Sequence, residues 1–126
     1  MVADASAAVA ALLGSHTART RLSTGPIHAP HLIDFEIVSA LRRAASHGDV
    51  SDETATAALD VWREITIGRH GSVGLLARIW ELRNNLTPYD AGYVALAEAL
   101  GCPLVTTDGH LARAPGLRCD VHVLPE

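Results

Sequence analysis

The sequence predicts an α/β fold built on a parallel sheet. Short apolar runs alternate along the chain with helical stripes, and Gly, Pro or Ser stands at the joins. Such alternation is typical of parallel strands joined by helices. The hydrophobic content is 48% and the aromatic content only 4%, which indicates a core of Ala, Leu, Val and Ile suited to helices packed on a sheet. At 126 residues we expect a single domain over 1–126.

Five short strands are expected. The first, at Val2 and Ala3, is so brief that we expect either a clipped strand or a start that lies a few residues late. Short apolar runs bounded by Gly or Pro predict the other four strands at 27–29, 65–67, 103–106 and 121–124.

Helices fill the segments between these strands. Apolar residues at helical spacing predict helices over about 6–13, 16–22, 32–47, 51–64, 73–83 and 88–100, with a further helical turn near 111–113. Ser51 is a predicted N-cap, and Thr87 followed by Pro88 is typical of another helix start. Gly101 is expected to end the helix that Pro88 begins.

Composition and charge exclude several classes of protein. A net charge of −4 argues against a general nucleic-acid binder, which is usually basic. All ten basic residues are arginines, which suit a two-pronged grip on phosphate. No apolar run approaches the roughly 20 residues needed to cross a bilayer, and Asp4 interrupts the apolar start. Cys102 and Cys119 are predicted to be free thiols, which favours a reducing compartment. We therefore expect a cytoplasmic protein with no membrane role.

Four carboxylates mark a candidate site: Asp4, Glu36, Asp90 and Asp108. Each follows a predicted strand or lies in the first turns of a helix. The carboxyl ends of parallel strands meet at one edge, so these acids are expected to converge into an outline of a divalent-metal site. Each acid alone also has a structural explanation. Asp4, Asp90 and Asp108 can cap helices, and Glu36 can be a solvated residue favoured by a helix dipole.

Basic and hydroxyl side chains accompany these acids. Arg43 shares a helix face with Glu36, while Arg113 follows Asp108, so either arginine can be a surface residue or a contact to phosphate. Thr106 and Thr107 can donate hydroxyl hydrogen bonds to a neighbouring carboxylate. Tyr93 lies one turn after Asp90, where packing against the core and stacking on a base are both open.

The order and spacing of these motifs resemble the PIN-domain ribonucleases, and within them the VapC toxins of bacterial toxin–antitoxin pairs. The likeness covers nearly the whole chain. It is carried by Asp4-Ala-Ser6, by Pro30-His-Leu-Ile-Asp-Phe-Glu36 and its continuation to Arg43, by Leu86-Thr-Pro-Tyr-Asp90-Ala-Gly-Tyr93, and by Leu104-Val-Thr-Thr-Asp108. The chain departs from the family pattern in its short lead before Asp4 and in Gly109, where many relatives have a basic or bulky residue.

The resemblance implies a three-layer α/β/α sandwich and a catalytic centre that holds Mg²⁺ or Mn²⁺. Asp4 and Asp90 would be primary ligands, with Glu36 and Asp108 binding directly, through water or at a second metal. Hydrogen bonds from Ser6 and Thr106 would support the carboxylates. The family likeness also implies cleavage of single-stranded or loop RNA, often transfer RNA, a homodimer, and a VapB-like antitoxin that inserts an arginine among the acids.

Other functions are compatible with the same four acids. A receiver-like phosphate-binding module also gathers acids at a sheet edge, but it needs a lysine, and the chain has none. A haloacid-dehalogenase-type phosphatase needs a second Asp where Ser6 stands. A catalytically silent PIN-like module that binds RNA or protein is the remaining alternative. If the acids are catalytic, removing one should impair cleavage without unfolding the chain, and Asp4→Ala is expected to raise thermal stability in metal-free buffer by relieving repulsion.

Overall fold

The computed structural model describes residues 1–125, which form a five-stranded sheet flanked by helices. All neighbouring strands are parallel, in the order β3-β2-β1-β4-β5. The strands are β1 (Val2–Ala3), β2 (His28–Pro30), β3 (Gly68–His70), β4 (Leu104–Thr106) and β5 (Val121–Val123). The parallel α/β fold expected from the sequence is therefore confirmed.

Seven α-helices connect and follow these strands. They are α1 (Ala5–Leu12), α2 (His16–Leu22), α3 (Ile33–Ser46), α4 (Asp52–Glu64), α5 (Leu76–Glu81), α6 (Pro88–Leu100) and α7 (Gly109–Arg113). Helices α1 to α4 pack against one another, while α6 packs on β1, β2 and β4 with α5 beside it. Since parallel crossovers are right-handed, these two groups of helices cover opposite faces of the sheet, giving the expected three layers.

The core is assembled from small and branched apolar side chains. The strand residues Val2, Ala3, Ala29, Leu104 and Val105 are fully buried. Helix α6 is buried without interruption from Ala91 to Ala97. Helix α6 is therefore a central element of the core, and it fixes the residues near its start relative to the sheet.

The predicted caps of two helices are confirmed. Thr87 accepts a hydrogen bond at its side-chain oxygen from the backbone N–H of Asp90, and Ser51 caps α4 through the N–H of Thr54. Gly101 ends α6 in the left-handed conformation, with φ of 64°, which a residue with a Cβ adopts only at a cost.

The third strand lies three residues later than the sequence predicts. The apolar segment 65–67 favours a strand, but the structure forms β3 at Gly68–His70. Pairing with β2 selects this register, in which His28 lies opposite Gly68. A Cβ on Gly68 would come within 2.6 Å of the His28 Nδ1, so the glycine permits the close approach. Tertiary pairing outweighs local β propensity here.

The helix predicted over 73–83 is also shorter than expected. A single 3₁₀ turn at Val73–Leu75 leads into α5, which ends at Glu81. Arg78 of α5 makes a bidentate contact with Glu98 of α6, with N–O distances of 2.7 and 3.1 Å. Burial raises the pKa of Glu98, but the Arg78 guanidinium and the backbone N–H of Arg118 outweigh burial, so the pKa lies below its usual value. This pair ties α5 to α6.

The two cysteines are unpaired, as the sequence predicts. Cys102 and Cys119 are free thiols, and burial raises the pKa of Cys119 to about 11. Among residues 1–125, no helix combines the length and the apolar character that crossing a membrane would require.

Candidate active site

The four acids lie at the carboxyl end of the sheet, around the boundary between β1 and β4. These strands are neighbours, yet the chain leaves β1 toward β2 and leaves β4 toward β5, on the opposite side. A crevice opens where strand order reverses in this way, and open α/β sheets bind ligands there. Asp4 directly follows β1, and Asp108 follows β4 after one residue. The topology therefore brings two acids that are distant in sequence to one crevice.

Asp4 is held rigidly by three donors. Its Oδ1 accepts hydrogen bonds from the Ser6 hydroxyl at 2.6 Å and from the backbone N–H of Ala7 at 3.0 Å. Its Oδ2 accepts from the Thr106 hydroxyl at 2.5 Å. Asp4 and Thr106 are both buried, at 7% and 0% exposure. Asp4 therefore caps α1 and at the same time lines the crevice between β1 and β4.

Ser6 and Thr106 also bind the loop that carries Asp108. The Ser6 hydroxyl oxygen accepts from the backbone N–H of Thr107 at 2.9 Å, and the Thr106 hydroxyl oxygen accepts from the N–H of Asp108 at 3.0 Å. The expected hydrogen bond to a carboxylate is therefore made by Thr106, whereas Thr107 contributes its backbone. This small network fixes Asp4 and Asp108 relative to each other.

Glu36 is oriented by a tyrosine. Tyr93 of α6 is buried, and its hydroxyl donates a hydrogen bond of 2.6 Å to Oε1 of Glu36 in the first turn of α3. Burial first, and then this hydrogen bond and the negative charge of Glu36, raise the pKa of Tyr93 well above its usual value, so the phenol stays protonated and continues to donate. Tyr93 therefore links the two helices that carry Glu36 and Asp90.

Four carboxylates line one cavity of about 230 Å³, together with Ser6, Ser39, Arg43 and Tyr93. We call it the acid cavity. Arg43 reaches Ser39 at 3.2 Å on the face of α3 that the sequence indicated. Arg113 does not line the acid cavity. It lines a second cavity that shares Asp90 and Asp108 with the first.

The charges in the acid cavity repel one another. Burial is the main cause that raises the pKa of Asp90, followed by the negative charges of Asp108, Asp4 and Glu36. Burial also raises the pKa of Asp4, against the opposing effect of its three hydrogen bonds. A positive ion or a cationic side chain in the acid cavity would relieve this repulsion.

The donor chemistry of the acid cavity suits a hard divalent cation, because carboxylate oxygens are the ligands that Mg²⁺ and Mn²⁺ prefer. Within the described part of the chain, no three carboxylate, imidazole or thiol groups already converge tightly enough to enclose an ion. This arrangement fits an ion that keeps several of its waters and touches only one or two carboxylates directly, as Mg²⁺ commonly does. It does not fit a closed cage of protein ligands.

Two features of the site were not resolved by the sequence. The role of Tyr93 was left open between packing and stacking, although its spacing of three residues from Asp90 puts both on one helix face. Asp34 received no role, yet it accepts from Arg69 at 2.7 and 2.8 Å and from the Trp62 indole at 2.8 Å. This cluster fastens the start of α3, two residues before Glu36, to α4 and β3.

Comparison with known proteins agrees with this geometry. The family model described as PIN domain matches residues 1–117. Ribonuclease VapC9 of Mycobacterium tuberculosis is 47% identical, over 99% of this chain and 98% of its own length.

Two solved structures share the fold. VapBC2 from Rickettsia felis, bound to a DNA fragment from its promoter, has a TM-score of 0.71 and 15% identity, covering 98% of this chain and 97% of that chain. A toxin–antitoxin complex from Klebsiella pneumoniae has a TM-score of 0.65 and 19% identity, covering 96% and 94%. From the family match and the identity to VapC9, the chain belongs to the PIN domain family and, within it, to the VapC ribonucleases.

Proposed function

We propose that this protein is a metal-dependent endoribonuclease that acts as the toxin of a toxin–antitoxin pair. The observation that carries the proposal is the acid cavity itself, in which four carboxylates from four separate segments meet at the topological switch point. Its membership of the VapC group supports the reaction class. The free thiols agree with a reducing compartment, so we propose the cytoplasm as the site of action.

The acids have different roles in this proposal. Asp4 and Asp90 are the primary ligands of Mg²⁺ or Mn²⁺, with Glu36 and Asp108 acting directly or through water. When bound, such an ion supplies a Lewis acid that activates water for in-line attack on a phosphodiester and neutralises developing charge on phosphoryl oxygens. The protein keeps the ligand oxygens in place, since Ser6 and Thr106 hold Asp4, and Tyr93 holds Glu36.

The hydrogen bonds also determine which carboxylate oxygens already have a donor. Tyr93 occupies Oε1 of Glu36, which leaves Oε2 available to an ion or to a water. The backbone N–H of His110 occupies Oδ1 of Asp108 at 2.9 Å, which leaves Oδ2 available. A carboxylate held by one oxygen presents the other in a fixed direction. Preorganisation of this kind lowers the cost of arranging ligands during the reaction.

We propose single-stranded or loop RNA as the substrate, with transfer RNA among the candidates. Arg43 at one side of the acid cavity and Arg113 beyond Asp108 are candidate contacts to RNA phosphates. Their charge offsets the repulsion between RNA and a protein of net charge −4. A phosphate backbone that enters beside Arg43 would pass directly over the carboxylates.

We propose a VapB-like antitoxin as the partner. An arginine inserted by such a partner would pair with the carboxylates and replace the metal or the substrate. An apolar cavity of about 340 Å³ between α1, α2 and α4, lined in part by Leu22, Val61 and Ile65, offers a surface for the same partner. The solved structures of VapBC2 and of a toxin–antitoxin complex, which share this fold, support this proposal.

We also propose a homodimer. Phe35 and Val38 lie on one face of α3 and are 78% and 49% exposed, which is unusual for two large apolar side chains one turn apart. Light scattering on purified protein should give a mass of twice 13.3 kDa. Phe35→Lys should lower it to that of a monomer, and a wild-type monomer would contradict the dimer.

The decisive experiment is cleavage of total cellular RNA by antitoxin-free protein with Mg²⁺, with Mn²⁺ and with a chelator. Wild type is compared with Asp90→Asn, and with Asp49→Asn as a matched change at an exposed position outside the cavity. We expect discrete fragments from wild type and Asp49→Asn only when metal is present, and none from Asp90→Asn. A folded wild type that cleaves no transfer, ribosomal or messenger RNA would indicate a silent binding module instead.

A further inference from the structure

A second cavity adjoins the acid cavity. It has a volume of about 400 Å³ and shares Asp90 and Asp108 with its neighbour. From these acids it extends between the loop before α6 and helix α7, where Asn85, His110 and Arg113 line it. Because Asp90 and Asp108 line both cavities, a bound polymer that passes over the acids would continue directly into the second cavity. We call this second space the flanking cavity.

Gly109 sets the position of Arg113 in the flanking cavity. A Cβ at position 109 would lie 3.2 Å from Nη1 of Arg113 and 3.7 Å from Nη2, so the guanidinium folds back against the glycine. Nη2 is also 3.3 Å from Nδ1 of His110. The Arg113 guanidinium therefore lies against Gly109 and His110, and a Cβ at position 109 would shift it by a few tenths of an ångström.

Arg113 forms no ion pair within residues 1–125. In residues 1–125, ion pairs within 4.0 Å engage only Arg63, Arg69 and Arg78. Arg113 is exposed and close to a cluster of carboxylates, yet it pairs with none of them. An arginine that stays free beside an acidic site is available to an anion that arrives from solution.

We infer that the flanking cavity binds the nucleotide next to the scissile phosphate of single-stranded RNA. Arg113 holds the flanking phosphate, and the base enters between Asn85 and His110, which offer it hydrogen-bonding groups. The volume lies in the range of small-ligand sites, roughly 300–1,000 Å³. Unpaired bases of RNA can turn out of the stack into such a pocket. This inference rests on the proposed ribonuclease function and adds a subsite for substrate choice.

Gly109 is then the residue that tunes this subsite, because it acts through Arg113. The role of Gly109 is positional, since it has no side chain to touch RNA. Gly109→Ala should weaken RNA binding slightly by shifting the guanidinium, and it should have no further effect once Arg113 has been removed. A purely structural effect of Gly109→Ala would persist in the absence of Arg113.

The test measures binding of a fluorescein-labelled single-stranded RNA of about ten nucleotides, of mixed sequence, by fluorescence anisotropy. All variants carry Asp90→Asn so that the probe stays intact. Arg113→Ala, Gly109→Ala and the double variant are compared with Arg42→Ala, which removes another exposed arginine outside both cavities. Titrations at several salt concentrations between about 50 and 200 mM give the slope of log K against log salt.

We expect Arg113→Ala to weaken binding about fivefold and to reduce the magnitude of the salt slope by about 0.7, the value for one phosphate contact on a single strand. Gly109→Ala should have a smaller effect that disappears in the double variant, and Arg42→Ala should change neither quantity. In the wild-type background, Arg113→Ala should also alter the nucleotide preference beside the cleaved bond.

Three results would overturn the inference. One is equal salt slopes for Arg113→Ala and Arg42→Ala. Another is an effect of Gly109→Ala that remains without Arg113. The third is unchanged RNA binding by Arg113→Ala together with weaker retention of a co-expressed antitoxin, which would identify a protein contact. If wild type cleaves RNA and these results appear, the subsite fails while the ribonuclease stands. If binding depends on Arg113 but wild type never cleaves, the ribonuclease fails instead.

Discussion

Replacing Asp4 with alanine should destabilise the protein even where no metal is present. Burial raises the pKa of Asp4, so relief of this buried charge would by itself make the variant more stable. The contacts of Asp4 reverse that sign. Loss of the helix cap costs about 0.5–2 kcal/mol, and loss of the acceptor for the fully buried Thr106 hydroxyl costs about 1–3 kcal/mol. Thr106 also lies 3.2 Å from the Ser6 hydroxyl, which recovers part of this cost.

After relief of the buried charge, we expect a net loss of about 1–3 kcal/mol for Asp4→Ala, which lowers the melting temperature by about 3–10 °C. Thermal unfolding in EDTA near neutral pH measures it. Asp4→Asn is the matched control, because its side-chain oxygen still caps α1 while the charge is removed. Its amide N–H can donate to the Thr106 hydroxyl oxygen, and the Thr106 hydroxyl can then donate to Ser6, so the variant should stay within about 1 kcal/mol of wild type. A melting temperature of Asp4→Ala above that of wild type would refute the reasoning, since repulsion would then outweigh the hydrogen bonds.

Three further outcomes are expected. Tyr93→Phe removes the hydrogen-bond donor to Glu36, so the rate of RNA cleavage in a steady-state assay should fall about tenfold. The melting temperature should change by less than about 3 °C. An undiminished rate would show that Tyr93 has no role in cleavage. Arg78→Met leaves the Glu98 carboxylate, only 10% exposed, without its ion-pair partner. Urea unfolding should show that the free energy of unfolding falls by about 2–4 kcal/mol, against less than about 0.5 kcal/mol for the exposed Arg42→Met. Equal losses in the two variants would contradict a structural role for the pair. The folded state lowers the pKa of Glu98 below the unfolded glutamate pKa of about 4.3. The stability from the Arg78–Glu98 pair is therefore complete above the unfolded pKa and is lost as the pH falls through the lower folded pKa. Over that pH range, urea midpoints should fall more steeply in wild type than in Glu98→Gln.

The alternation of apolar runs and helical stripes was sufficient to predict the fold class. It depends on the short-range periodicity of strands and helices, which is visible in one sequence. The caps at Ser51 and Thr87 and the glycine end at Gly101 were predictable for the same reason, since each satisfies backbone groups within a few residues. The strand at Gly68–His70 was not predictable, because its residues lack a β pattern and only pairing with β2 selects them.

The candidate site divides in a similar way. The sequence marked the four acids by their places after strands and in first helical turns, and the structure brings all four to one cavity. It did not reveal that Tyr93 holds Glu36, because that contact joins residues 57 positions apart. It also did not distinguish Arg43, which lines the acid cavity, from Arg113, which lines the flanking cavity.

What the sequence determined by itself is therefore the identity of the elements and of the acids, since periodicity, capping and residue chemistry act over a few neighbouring positions. Only the tertiary structure decided which oxygens of those acids are occupied by donors. It alone decided that Arg113 folds back against Gly109, and that the start of α3 is fastened through Asp34. These are contacts between segments far apart in the chain, and packing of the sheet and its helices sets their distances.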